Sequence, residues 1–230
     1  MHKQIFISGI DTDCGKTHIT GLLAYHFRKA GINCITTKMV QTGCEELAED
    51  IIAHRNMMEM DLLPVDKKGE TCPVLYSFPA SPHLAAEIDQ RPFEVKKVEK
   101  AFVRLQKQYE LLLTEGAGGL AVPLSNNLLL SDFLQTSALP LVLVSSSRLG
   151  SINHTLLSID FCINNQLHLT TIVYNQFPED DRHIAESSYQ FLKDYLARSY
   201  SFIKLIHSDE LSKSTCLSEQ LINYMLSDTC

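Results

Sequence analysis

The chain alternates between short continuous apolar runs and longer segments whose apolar residues recur with a helical period. Ile5 to Ser8 has the length and composition of a strand. From Lys16 to Lys29, the residues Ile19, Leu22, Leu23 and Phe27 share one helical face, and Gly31 follows as a C-terminal cap. Cys34 to Lys38, rich in Ile and Thr, reads as a second strand. Strand, helix and strand within about 35 residues make a βαβ unit, which predicts parallel strands.

The same reading continues along the chain. Glu45 to Met58 is expected to be helical. Asp61 to Pro82 is the least regular stretch, but Val74, Leu75, Tyr76 and Phe78 mark it as an ordered excursion rather than a linker. His83 to Glu87 suits a turn or two of helix, and Val95 to Tyr109 an amphipathic helix with Val98, Ala101, Phe102 and Leu105 inward. Leu111 to Leu113 and Leu139 to Val144 read as buried strands, with Pro140 at the start of the latter. Leu128 to Gln135, Asn153 to Asn165 and Asp180 to Arg198 read as helices. Thr170 to Tyr174 and Phe202 to Ile206 complete the strands, and Ser218 to Met225 forms a peripheral helix. The alternation predicts an α/β fold: a three-layer, open, mostly parallel sheet with helices on both faces. No repeat or boundary divides residues 1–230, so a single domain is expected.

Composition narrows the class. The 230 residues are 45% hydrophobic, enough for a substantial core. A net charge of −7 and a pI near 5.7 argue against nucleic acid or an anionic membrane surface as partner. No apolar run reaches the ~18 residues that span a bilayer, and Met1-His2-Lys3 enters a strand without a signal-peptide pattern. Seven cysteines stand at 14, 34, 44, 72, 162, 216 and 230, without a C-x-x-C pair. The expectation is a cytoplasmic protein lacking a disulfide framework or zinc site.

Chemistry concentrates at strand ends. Gly9-Ile10-Asp11-Thr12-Asp13-Cys14-Gly15-Lys16-Thr17 lies between the first strand and the first helix, the layout of a P-loop. Five residues separate Gly9 from Gly15, one more than usual, and Ile10 stands where the standard glycine would be. A chance Gly-Lys-Thr in an ordinary turn is the plainer alternative. In the P-loop reading, backbone N–H groups at the helix start cradle phosphates, Lys16 reaches the β- and γ-phosphates, and the Thr17 hydroxyl ligates Mg²⁺. Cys14, inside this loop, is either a reactive thiol or a small space-filling side chain. The other strand ends carry Lys38, Glu115 and Asn175, so one ridge holds two lysines, a carboxylate and the loop. Glu115 suits Mg²⁺ ligation, and Gly116, Gly118 and Gly119 permit close approach of backbone to a ligand. Asn175 also suits a simple strand-ending turn, and Lys38 a solvated strand end. Asp50 is one of several acids near Glu45, Glu46 and Glu49, and nothing in the spacing selects it.

Taken together, these motifs resemble the dethiobiotin synthetase family over most of residues 1–190. The likeness is carried by Gly9-x-Asp11-Thr12-Asp13-x-Gly15-Lys16-Thr17, by Lys38-x-Val40-x-Thr42-Gly43 and by Ser81-Pro82-His83. Glu115-Gly116-Ala117-Gly118-Gly119-x-x-x-Pro123-Leu124 and Leu149-Gly150-x-Ile152-Asn153-His154 follow in the same order. The family has the longer loop, with an acidic residue at the Asp13 position. The resemblance implies a P-loop NTPase-like fold, a homodimer, and formation of dethiobiotin from 7,8-diaminononanoate, CO₂ (or bicarbonate) and ATP through a carbamate and a mixed anhydride. It further implies Thr17, Asp50 and Glu115 around Mg²⁺, and Thr12, Lys16, Lys38 and Thr42 around the carbamate and γ-phosphate. Asp13, Cys14, Gly15, Lys16 and Thr17 would cradle the phosphates, with Gly116 and Gly118 beside the nucleotide and Asn175 at adenine. Ser81 would stand on the substrate side. Gly150, Ser151, Ile152 and Asn153 of a partner subunit, with Tyr189, would receive the substrate carboxylate. The chain departs from the family where Met39 replaces a common proline, and where Lys204-Leu205-Ile206-His207-Ser208 replaces a Gly-x-x-Pro type turn near the base.

Three other readings compete. A partitioning-type ATPase switch would place a lysine early in the loop, where this chain has Asp11 and Asp13. A related amide-forming synthase would carry an added glutaminase domain. A degenerate nucleotide binder would not keep Lys16, Thr17, Lys38 and Glu115 together.

Overall fold

The computed structural model describes residues 3–176 and 181–227. Met1, His2, Asp180 and Cys230, which entered the sequence reading, lie outside them. The first βαβ unit comprises β1 (Lys3–Gly9), α1 (Lys16–Lys29) and β2 (Cys34–Lys38). Gly31 ends α1 as expected: its N–H reaches the Arg28 carbonyl, and that of Ile32 reaches Phe27, satisfying carbonyls the helix leaves open. An excursion follows, with β3 (Val40–Thr42), α2 (Glu49–Met57), α3 (Pro64–Lys67), β4 (Val74–Tyr76) and α4 (Pro82–Ile88). Next come α5 (Val95–Gln106), β5 (Leu111–Gly119), β6 (Pro123–Ser125), β7 (Leu128–Leu129), α6 (Leu130–Ser137) and β8 (Leu141–Ser146). The chain continues through α7 (Ser151–Asn164), β9 (Leu169–Asn175), α8 (Arg182–Ser199), β10 (Lys204–His207) and α9 (Glu219–Ser227).

Six strands form one parallel sheet in the order β10-β9-β8-β1-β5-β2. β1 and β2 are parallel but not neighbours, because β5 lies between them. The period-two alternation of β1 divides two cores. Ile5 and Ile7 face α1 with Leu111, Leu113, Val142 and Val144, while Phe6 faces the other way with Leu112, Leu143, Val98, Phe102 and Ile159. This is the expected three-layer α/β arrangement. α9 is less peripheral than its position suggests: Leu221, Ile222 and Met225 are buried in the α1-side core.

Four further expectations change. The strand expected to end at Glu115 runs on to Gly119, so Glu115 and the glycines after it lie within β5, where Gly119 pairs with Gly9 of β1. The helix expected from Glu45 begins only at Glu49, where Gln41 Oε1 accepts the Asp50 N–H at 3.2 Å and fixes the first turn. Leu128 and Leu129 belong to a hairpin strand paired with β6, and the helix starts at Leu130, with Asp132 accepting the Leu129 N–H at 2.8 Å. The excursion contains a parallel pair, β3 with β4, which three-residue strands do not announce by periodicity. No helix among the described residues is long and apolar enough to cross a membrane.

Candidate active site

Between β1 and α1 the chain turns tightly enough to leave Asp13 and Gly15 in the left-handed region, at φ 56° and 95°. Gly15 is required there twice over. A Cβ at this position would meet left-handed strain and would lie 2.0 Å from Asn175 Nδ2. Asn175 Nδ2 donates to the Cys14 carbonyl at 3.0 Å, so the end of β9 braces the loop from behind. Lys16 Nζ reaches back to the Asp11 carbonyl at 2.7 Å, the shape of a loop wrapped around its lysine. Cys14 is fully buried, its Sγ 3.2 Å from the Asp11 carbonyl. Of its two readings the space-filling one holds, because the thiol is sealed behind the loop.

Across the sheet, Lys38 on β2 and Glu115 on β5 are register partners, and both face the α1 side. Lys38 Nζ bonds Glu115 Oε1 at 2.7 Å, the Gly116 carbonyl at 3.1 Å and Asp50 Oδ2 at 2.5 Å. Thr17 Oγ1 donates to the same Glu115 oxygen at 3.0 Å, which ties α1 to β5. Glu115 Oε2 is held by His54 Nε2 at 2.8 Å. Burial by itself would raise the Glu115 carboxyl, but the Lys38 ammonium and the His54 ring outweigh it and hold the group down to about 2. Burial would likewise lower Lys38, and Glu115 and Asp50 overcome it and push the ammonium above its ordinary range. Both groups are therefore charged at neutral pH. Met39, where a proline is common, donates its N–H to the Glu115 carbonyl at 2.9 Å, an anchor that proline would remove.

A cleft of about 760 Å³ opens over these groups, lined by Thr12, Asp13, Gly15, Lys16, Thr17, Lys38, Thr42, Asp50, Ser81, Glu115 and Gly118, among others. Ser81 Oγ lies 3.0 Å from His83 Nδ1 at its rim. Gly116 serves packing rather than ligand approach, since a Cβ there would meet Phe6 and Leu130 side chains at 2.9 and 3.1 Å. Gly150, Ser151, Ile152 and Asn153 form the start of α7 and do not line this cleft. Asn153 instead borders a second cavity of about 380 Å³ with Ile10, Asp11 and Leu157. Tyr189 is also apart from the cleft, its ring packed against those of Tyr174 and His207 at centroid distances of 5.5 and 4.9 Å. Of the altered segment, Lys204 to His207 form β10 rather than a turn, and Ser208 Oγ just beyond it accepts the Gln176 N–H at 3.1 Å, which steadies the end of β9.

The sequence reading missed His54, although it lies one helical turn beyond Asp50 on α2, on the same face. It also missed Arg55, buried and bonded to Asp66 through Nε and Nη2 at 2.9 and 2.7 Å, and to Thr36 at 2.6 Å. Among the described residues no group of three or more His, Cys, Asp or Glu side chains is arranged to hold a metal ion alone. Thr17, Asp50 and Glu115 nonetheless offer hard oxygen donors gathered around one buried ammonium. That set fits Mg²⁺, which commonly takes one or two carboxylates and completes its shell with water and phosphate oxygens.

Comparison with known proteins adds a family. A family model described as an AAA domain matches residues 3–204. The ATP-dependent dethiobiotin synthetase BioD 2 of Haemophilus ducreyi is 44% identical over 200 residues, which cover 87% of this chain and 95% of that protein. The ATP-dependent dethiobiotin synthetase BioD of Chlorobaculum tepidum is 49% identical, covering 87% and 83% of the two chains. Among solved structures, a ParA family ATPase from Chlorobium tepidum TLS gives a TM-score of 0.51 at 13% identity, over 99% of this chain and 95% of the other. pNOB8 ParA bound to nonspecific DNA gives 0.53 at 10% identity, over 100% and 97%. At such low identity these two structures speak for the fold alone.

Proposed function

The chain belongs to the ATP-dependent dethiobiotin synthetase family, and on that premise we propose that it closes the cyclic urea of dethiobiotin in the cleft bounded by Lys16, Lys38, Asp50 and Glu115. As a dethiobiotin synthetase it is an ATP-dependent ligase of biotin biosynthesis. One amine of 7,8-diaminononanoate captures CO₂ as a carbamate. A carbamate oxygen attacks the γ-phosphorus, and ADP leaves. The second amine then attacks the carbonyl carbon of the carbamic–phosphoric anhydride, and phosphate leaves as the ring closes. The carbamate oxygen is already anionic, so the site needs charge neutralisation more than a strong base.

The observation that carries this reading is the buried, charged pair of Lys38 and Glu115 beside a phosphate-type loop. In the proposed arrangement Asp13 to Thr17 cradle the phosphates, and Lys16, Lys38, Thr12 and Thr42 surround the transferring phosphoryl group and the carbamate. Thr17, Asp50 and Glu115 would hold Mg²⁺, which when bound would offset charge on the phosphate oxygens. Ser81 sits on the diamine side and Asn175 behind the loop on the adenine side. The protein acts as a homodimer in the cytoplasm. Gly150 to Asn153 of the partner subunit receive the substrate carboxylate, a suitable task for a helix start, and Tyr189 assists from the same subunit.

The test is phosphate release by purified protein with ATP, Mg²⁺ and bicarbonate, with and without the diamine. Release that depends on the diamine, with dethiobiotin detected by mass, is expected. ATP hydrolysis that ignores the diamine would instead favour a switch-type ATPase and sink the proposal.

A further inference from the structure

α2 carries more of the site than Asp50. His54 follows it by one turn, is fully buried, and faces the far oxygen of Glu115. An ionised carboxylate only accepts, so His54 donates through Nε2–H, and Nδ1 has no hydrogen-bond partner among the described residues. The two carboxylate oxygens of Glu115 are thereby divided. Oε2 belongs to His54, while Oε1 faces Thr17 and Lys38. The last torsion of a glutamate is broad, and the donor on Oε2 holds the plane of the carboxylate from the side opposite Thr17 and Lys38, which is the side a cation would occupy. The helix that carries the imidazole is anchored next to it. The next residue, Arg55, grips Asp66 and Thr36 with a buried fork, pinning α2 against the sheet edge.

From this division we propose that His54 is a positioning residue of the cation site: it locks Glu115 Oε2 so that Oε1 stays turned toward Thr17, Lys38 and a bound Mg²⁺. The inference rests on the reading of Thr17, Asp50 and Glu115 as that site. His54 does not touch the reacting groups. Its contribution is carried through Glu115, as outer partners of metal-binding carboxylates commonly act.

Mn²⁺ binding to the full chain in the presence of ADP, followed by the electron paramagnetic signal of free Mn²⁺, tests the inference without turnover. His54→Leu keeps most of the volume and removes the donor, and binding should weaken roughly tenfold or more. His54→Gln can still donate to Oε2, and should stay within about threefold of the wild type. In turnover, His54→Leu should raise the Mg²⁺ concentration needed for half-maximal rate while leaving the KM for the diamine nearly unchanged. Binding by His54→Leu equal to that of the wild type would overturn the proposal, and so would His54→Gln binding as weakly as His54→Leu. Asp50→Asn separates the two levels of inference. If it binds Mn²⁺ as the wild type does, the cation site itself is misread. If it loses binding while His54→Leu keeps it, only the role of His54 falls. Should His54→Leu fail to fold, the wild type still decides the matter. The ¹⁵N-histidine signal that disappears in His54→Gln should shift when Mg²⁺ is added to the ADP complex, and an unmoved signal overturns the inference.

Discussion

Two buried charges side by side are tolerable only while each satisfies the other, and Lys38 and Glu115 depend on each other in this way. Lys16→Ala and Lys38→Ala should both abolish dethiobiotin formation, but their effects on stability should separate. Lys38→Ala strips Glu115 of its main counter-charge and should cost about 3–5 kcal/mol in denaturant unfolding. Lys16 bonds a backbone carbonyl, and its removal should cost about 1–2 kcal/mol. Near-normal turnover in either variant would remove the assigned role. The pair also predicts a pH dependence. Glu115 is depressed from 4.5 to about 2 in the folded protein, so the unfolded chain binds the proton more readily. The stabilisation is fully present above pH 4.5 and is lost as pH falls through that value toward 2. Asp66, held below its ordinary 3.8 by Arg55 against the opposing effect of burial, adds loss in the same acid window. Unfolding midpoints measured from pH 7 downward should therefore drop below about 4.5, and Glu115→Gln should flatten part of that drop. The same residues show what a sequence discloses. Lys38 was legible because β2 ends at it, and Glu115 because the apolar run Leu111 to Leu113 stops just before it, although β5 itself continues to Gly119. Asp50 was not, because the start of α2 is set by the amide of Gln41, a tertiary contact no periodicity reports. His54 stands four residues beyond Asp50 on the same helical face, a spacing that carries a signal only once α2 and Asp50 are placed.

At the scale of elements, the long apolar strands and amphipathic helices were readable because each has one buried face. α1 and β2 have the bounds their patterns implied, and α5 buries the four residues its periodicity chose. The pairing of β3 with β4 and the β6–β7 hairpin were hidden because two or three residues contain no period. The first matters to function, since all three residues of β3, Val40 to Thr42, line the cleft. The junction of β1, β9 and α1 makes a further prediction. Gly15→Ala adds left-handed strain of about 1–2 kcal/mol and drives a methyl group into Asn175. Titration with ATP should show affinity reduced by roughly tenfold or more. Adding Asn175→Ala should restore only part of it, because the clash is relieved while the backbone strain stays. Full recovery in the double variant would mean that crowding alone selects glycine there.

At the scale of the whole molecule, the start of α7 poses the question of completeness. Gly150 to Asn153 do not line the main cleft, yet they sit in a surface that looks unfinished: Leu149 and Leu157 are 85% and 62% exposed, and the neighbouring cavity ends at Asp11 beside the phosphate-type loop. A second copy related by a two-fold axis would cover such a face with its own equivalent and bring a helix start to each cleft. Leu157→Glu should then give a monomer in sedimentation that still binds ATP but no longer converts the diamine. A monomer with the wild-type KM for the diamine would show that each chain is complete alone. Subunit mixing separates a shared site from one built within a single chain. Lys38→Ala disables a cleft, and Asn153→Asp places a negative charge where the partner's substrate carboxylate would lie. Each variant alone should be inactive. If the site is shared, co-expressed chains should recover about a quarter of wild-type activity, since half the dimers are mixed and each of those has one intact site. If every site is built within one chain, no mixture can restore any, because each chain carries its own lesion into its own cleft.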